Sequence, residues 1–149
     1  RPAFGVWDSN DKTAEMFVRG EGGEWARTDL TKGVSALRPG RIPSHIPSLA
    51  PRADGRIAAV FPVSSHGNFW DSDASLAFVN IDPASGRFSG SPAFSEDRPG
   101  EPSWLPSIEK GRVLAKGDDP YVLYTRGKTG ADNTTSEPCD ICLYAMASD

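Results

Sequence analysis

The chain has 149 residues, the size of one ordinary domain, with a net charge of −4 and 38% hydrophobic residues. Its Lys and Arg residues are scattered singly, so no basic patch offers a footprint for nucleic acid, and no run approaches the ~20 apolar residues of a membrane-spanning helix. The 15 Gly and 13 Pro exclude long helices, because Pro removes a backbone donor and Gly weakens helix interiors.

In chain order the pattern is one of short strands and turns. Phe4-Gly5-Val6-Trp7 reads as a strand, residues 14–19 as the next, Gly20 to Gly23 as a turn, and residues 25–31 as an outer strand. Pro47-Ser48-Leu49 is an extended lead-in, since a residue before Pro avoids the α region. Ala53-Asp54-Gly55 forms a hairpin turn in which Gly takes positive φ without steric cost. Residues 57–63 are apolar, β-branched and too few for a helix, so they predict a buried strand. A polar loop follows over 64–72, then a strand over 76–81. The turn Asp82-Pro83-Ala84-Ser85-Gly86 leads into a fourth strand from Arg87.

This unit recurs. Pro47-Ser48-Leu49 matches Pro102-Ser103-Trp104, Pro51 matches Pro106, and Ala53-Asp54-Gly55-Arg56-Ile57 matches Glu109-Lys110-Gly111-Arg112-Val113. Ala59-Val60-Phe61 matches Val122-Leu123-Tyr124, and residues 74–79 match residues 140–145. These stretches resemble the PD40 / TolB-like family of β-propeller repeats, whose blades read roughly P-S-W-S-P-D-G-R-I-A-F, then D-I-Y-V-M-D-x-x-x-G. The turns at 51–55 and 106–111 and the long 127–138 loop depart from that pattern.

The resemblance implies an all-β fold of about three four-stranded antiparallel blades in one repeat segment, 1–149, with copies near 1–40, 41–95 and 96–149. At about 45 residues per blade the chain is incomplete as a single-chain ring, which needs about four blades or more. The expectation is a piece of a longer propeller, a homo-oligomer, or a chain whose ring a partner completes. The start at Arg1 without Met reads as a processed or trimmed boundary. That reading fits a periplasmic or secreted protein, with no membrane insertion.

The candidate ligand-binding residues are His66, Asn68, Trp70, Asp71 and Arg126, because the 64–73 and 126–138 loops fall at equivalent places in adjacent copies. Asp71-Ser72-Asp73 places two carboxylates one residue apart, which suits calcium, although Asp and Asn are also ordinary turn formers. Similar clusters stand at Asp8 to Asp11 and at Asp118-Asp119. Ser64 or Ser65, His66 and Asp71 make a poor catalytic triad, since all come from one loop. Trp104 reads as core and His45 as a surface or strand-edge residue. Cys139 and Cys142 read as a local disulfide or two quiet thiols, half a metal site, or a redox dithiol. Asn133-Thr134-Thr135 fits a glycosylation sequon.

The function these features support is a binding or scaffolding module that recognises a protein, peptide or glycan through its blade-connecting loops. The alternative is a fragment or subunit of a propeller-containing enzyme whose catalytic residues or cofactor lie on other sequence. The scarcity of His and the lack of a nucleophile motif weigh against chemistry within these residues.

Overall fold

The computed structural model describes residues 2–68, 70–98, 100–109, 120–128 and 139–146. They form three antiparallel sheets and one short helix. The first sheet is a meander of β1 (Ala3–Asp8), β2 (Thr13–Arg19) and β3 (Trp25–Asp29). Asp8 shapes its first turn by accepting from the backbone N–H of Asn10 at 2.8 Å and of Asp11 at 3.2 Å.

The outer strand expected over 25–31 ends two residues early. Helix α1 (Leu30–Leu37) follows, capped by the Asp29 carboxylate, which accepts from the Lys32 N–H at 3.0 Å. Leu30 and Val34 bury one side of it. Gly33 lies flat against the Phe88 ring, where a Cβ would collide with it.

The central sheet contains β4 (Ile42–Pro43), β5 (Ser48–Pro51), β6 (Ile57–Ser64), β7 (Ser75–Asp82) and β8 (Arg87–Phe94). β4 and β5 lie along the same edge of β6, and the order across the sheet continues β6, β7, β8. The turns before β6 and β8 use Gly55 at φ 86° and Gly86 at φ 67°, the left-handed region that favours glycine. The third sheet is a meander of β9 (Ser103–Glu109), β10 (Tyr121–Arg126) and β11 (Asp140–Ala145). Its β9–β10 register shifts at a bulge, where Leu105 takes φ 47°.

Stacking follows from side-chain alternation. On the central sheet Ile57, Ala59, Phe61, Val63, Ala77, Val79 and Ile81 face the first sheet, packing with Ala14, Met16, Val18, Leu30 and Val34. The alternate residues Ala58, Val60, Leu76 and Phe78 face the third sheet and pack with Val122, Tyr124 and Met146. Every residue of β6 is buried, because both its faces are covered. Strands of this kind read as continuous apolar runs, which is how β6 appears in the sequence.

The two repeated stretches run in the same strand order, β5–β6–β7 and β9–β10–β11. The matching of residues 74–79 to 140–145 is, however, one residue out of phase. Ala77 and Val79 face the preceding sheet, whereas their matched residues Leu143 and Ala145 point away from it. Cys142 and Tyr144 hold that inward role in β11, and a slip of one residue exchanges the faces of a strand. The expected four-stranded blades are seen as sheets of three, five and three strands among the described residues.

Candidate functional site

One rim of the stack gathers the β1–β2 turn, the 65–74 loop, the 95–102 segment and the end of β10. Lys12 Nζ donates to Asn68 Oδ1 at 3.0 Å, joining the first two of these. The Ser103 N–H donates to the Ala74 carbonyl at 2.9 Å, the Gly100 N–H to that of Ser72 at 3.2 Å, and the Gly127 N–H to that of Pro102 at 3.3 Å. The first two bonds stitch the central sheet's loop to the chain leading into the third sheet, and the last ties that lead-in to the end of β10.

The 65–74 loop is organised by its own polar residues. Ser64 Oγ donates to Asp71 Oδ2 at 2.6 Å and accepts from the Gly67 N–H at 2.9 Å. Asp71 Oδ2 also accepts from the Asn68 N–H at 3.0 Å. Gly67 takes φ 67° to make the turn, close beside the Lys12 side chain and Ile42. Asp73 Oδ2 accepts from Arg41 Nη1 at 2.7 Å and from the Ser65 N–H at 3.2 Å. Arg41 Nη2 donates to Asp97 Oδ2 at 3.0 Å, and Arg38 pairs with the same carboxylate. The Asp71 and Asp73 oxygens expected to suit calcium thus hold the loop together and bind Arg41. Among the described residues no three His, Cys, Asp or Glu side chains converge as metal ligands.

Ser65, His66, Asp71, Ser72 and Asp73 line an open cleft of about 360 Å³ on this rim. His66 Nδ1 lies 2.9 Å from Ser65 Oγ, while Asp71 is bonded to Ser64 and Asn68 instead. Among the described residues no carboxylate therefore orients the imidazole as a triad requires. Trp70 is 53% exposed and meets the buried Trp104 edge to face at 5.7 Å. Of the expected ligand residues, the loop brings His66, Asn68, Trp70 and Asp71 together. Arg126 stands apart on the third sheet, directly opposite Ser103 in the strand register.

Arg126 Nη2 donates to the Tyr124 hydroxyl at 3.2 Å, and the guanidinium sits 5.8 Å from the Tyr124 ring centre. Burial pushes the Tyr124 phenol above its ordinary pKa, against the opposing charge of Arg126. Arg126 Nε, Trp104 Nε1 and Ser103 Oγ are buried donors with no acceptor among the described residues. Such groups cost stability unless something pairs with them. Sequence reading names Arg126 but not the donors of Trp104 and Ser103, because their burial without a partner is a tertiary property.

The opposite rim holds a larger cleft of about 650 Å³, which includes Val18, Arg56, Asp82 and Ser89. Its charges are matched locally. Arg56 Nη2 pairs with Asp54 at 2.6 Å, and Asp82 accepts from the Ala84 N–H at 2.8 Å. The hydrogen bond from Arg56 holds the Asp54 carboxyl below its ordinary pKa, and the Ala84 N–H does the same for Asp82.

Neither cysteine is bonded in a disulfide. Cys139 stands directly before β11 and Cys142 within it, so extended chain separates their Cα atoms by roughly 10 Å. A disulfide needs less than about 7 Å, and the expected local bridge does not fit this strand. Asp118-Asp119, the Asn133 sequon and most of the 126–138 loop lie outside the described residues.

His45 is half-buried and stacks on Trp7 with ring centres 5.7 Å apart. Burial holds its pKa below the ordinary 6.5. The unfolded chain therefore takes up the proton first as pH falls, so this contribution to stability is complete above pH 6.5 and declines below it. Urea midpoints measured from about pH 8 down to about pH 5 are expected to fall less steeply in His45→Gln than in the native chain. Equal slopes would refute this role for His45.

No protein-family model, curated protein or solved structure matches this chain.

Proposed function

We propose that the three sheets are consecutive blades of a β-propeller-type stack of the PD40 / TolB-like kind. On this reading the chain is an extracytoplasmic binding module for a protein, peptide or glycan. The consecutive-strand meanders and the two-sided burial of the central sheet support the blade reading. The repeated strand order supports it further.

One observation carries the binding reading. The 65–74 loop uses its own carboxylates to fix its shape while presenting Trp70, 53% exposed, beside an open cleft. A site rigid before binding loses little entropy on docking. An indole offers a flat apolar face to a sugar ring or a peptide side chain. Arg126, half-buried at the end of β10 on the same rim, supplies a cation for an acceptor-rich ligand.

The test is retention of the chain on panels of immobilised peptides and oligosaccharides, followed by affinity measurement on whatever is retained. Trp70→Ala is expected to weaken binding by about 10-fold or more, ~1.4 kcal/mol. Arg126→Met is expected to weaken it as well. Unchanged affinity in Trp70→Ala would remove the rim from the reading.

A further inference from the structure

The stack has a direction. The first sheet's inner face meets one face of the central sheet, and the central sheet's other face meets the inner face of the third. Two outward faces remain, and both carry apolar side chains. On the first sheet Phe4 is 46%, Val6 40% and Trp25 48% exposed. Phe4 stacks on Phe17 at 5.2 Å and meets Trp25 edge to face at 5.1 Å, so these rings form one patch across three strands. On the third sheet Leu123 is 40%, Ile141 80% and Leu143 62% exposed, and Leu123 lies directly opposite Leu143.

A sheet with one wet face alternates apolar and polar residues. β11 does not. Ile141 and Leu143 point outward while Cys142 and Tyr144 pack inward, so both of its faces are apolar, as in β6 and β7. The composition of β11 is that of a strand covered on both sides. Contiguous exposed patches of this kind mark interaction surfaces.

We propose that the outward face of the third sheet packs against the outward face of the first sheet of a second copy of this chain. The polarity of the stack selects this occupant. Each trailing face inside the molecule is covered by a leading face, and the one leading face left uncovered among the described sheets is the Phe4–Phe17–Trp25 patch of the first. Two copies placed head to tail make two such contacts and close a ring of six sheets, within the range of about four to eight blades that such rings contain. The inference rests on the blade reading proposed above, and not on what the rim binds.

Light scattering of the purified chain across a concentration series tests it. The expected mass is twice the 16.0 kDa of one chain. Ile141→Asp and Trp25→Asp are each expected to weaken association by about 100-fold or more, as loss of an interface anchor does. An equimolar mixture of the two variants is expected to recover a dimer, because one contact then joins two unaltered faces. A wild-type monomer at every concentration would overturn the proposal. So would a dimer that survives either substitution, which would mean like faces pair, and so would growth into open polymers. Circular dichroism and urea midpoints separate lost pairing from lost folding. If Trp25→Asp does not fold, Val6→Lys on the same face takes its place.

Discussion

Phe61→Ala is expected to destabilise the fold by about 3–5 kcal/mol, and Phe78→Ala by a similar amount from the opposite face of the same sheet. Phe61 is fully buried in the cluster shared with the first sheet. Phe78, 3% exposed, packs in the cluster shared with the third, stacked on Tyr144 at 4.2 Å. Each truncation removes a ring from one layer and leaves a void that rigid strands fill poorly. The two residues belong to different clusters but occupy neighbouring cross-strand pairs, Phe61 opposite Ala77 and Phe78 opposite Val60, so their costs should depart from additivity by about 0.5 kcal/mol or more through the shared backbone. Total stability for a domain is about 5–15 kcal/mol, so the double variant is expected to be largely unfolded. Urea titration of the three variants measures this. A cost below about 1 kcal/mol for either single truncation would mean that its face of the sheet is not packed.

The second large effect belongs to Arg41. Its side chain is 15% exposed and joins the residue just before β4 to two acidic residues, Asp73 and Asp97. It also donates to the Asp73 carbonyl at 3.0 Å. Arg41→Met keeps much of the aliphatic stem and leaves Asp73 without its cation, while Asp97 retains Arg38. The expected cost is about 2–3 kcal/mol, the range for hydrogen bonds to charged groups that are partly shielded from water. Arg41→Lys should recover only part of it, because an ammonium cannot present a planar fork to two acceptors. The same variants should speed proteolytic cutting within 65–74, since the Arg41–Asp73 bond anchors that loop. A stable Arg41→Met chain with an equally protected loop would show that the pair contributes nothing.

Much of the strand plan was legible in local sequence. β6 and β7 are short apolar runs rich in Val and Ile, flanked by turns whose Gly55 and Gly86 need positive φ. The contrast between a buried Trp104 and an exposed Trp70 also followed from position, one in a strand lead-in and the other in a polar loop. Helix α1 was missed although its signals were present. Asp29 is a good cap, and Leu30, Val34 and Leu37 fall at helical spacing. The β pattern of residues 25–29 simply reads on through them. The phase of β11 was misread because apolar residues occupy both of its faces, so alternation gave no guide to which side points inward. The Arg41 bridge joins residues 32 and 56 positions apart, and no local pattern announces such a pair.

The central sheet touches both others, and the hydrophobic clusters leave the first and third without a shared core. A protein organised this way can lengthen by tandem gene duplication. A newly copied meander needs only one compatible neighbour, not a redesigned interior, and the older units keep their contacts while the addition diverges. The strand order shared by β5–β6–β7 and β9–β10–β11 is what such lengthening would produce.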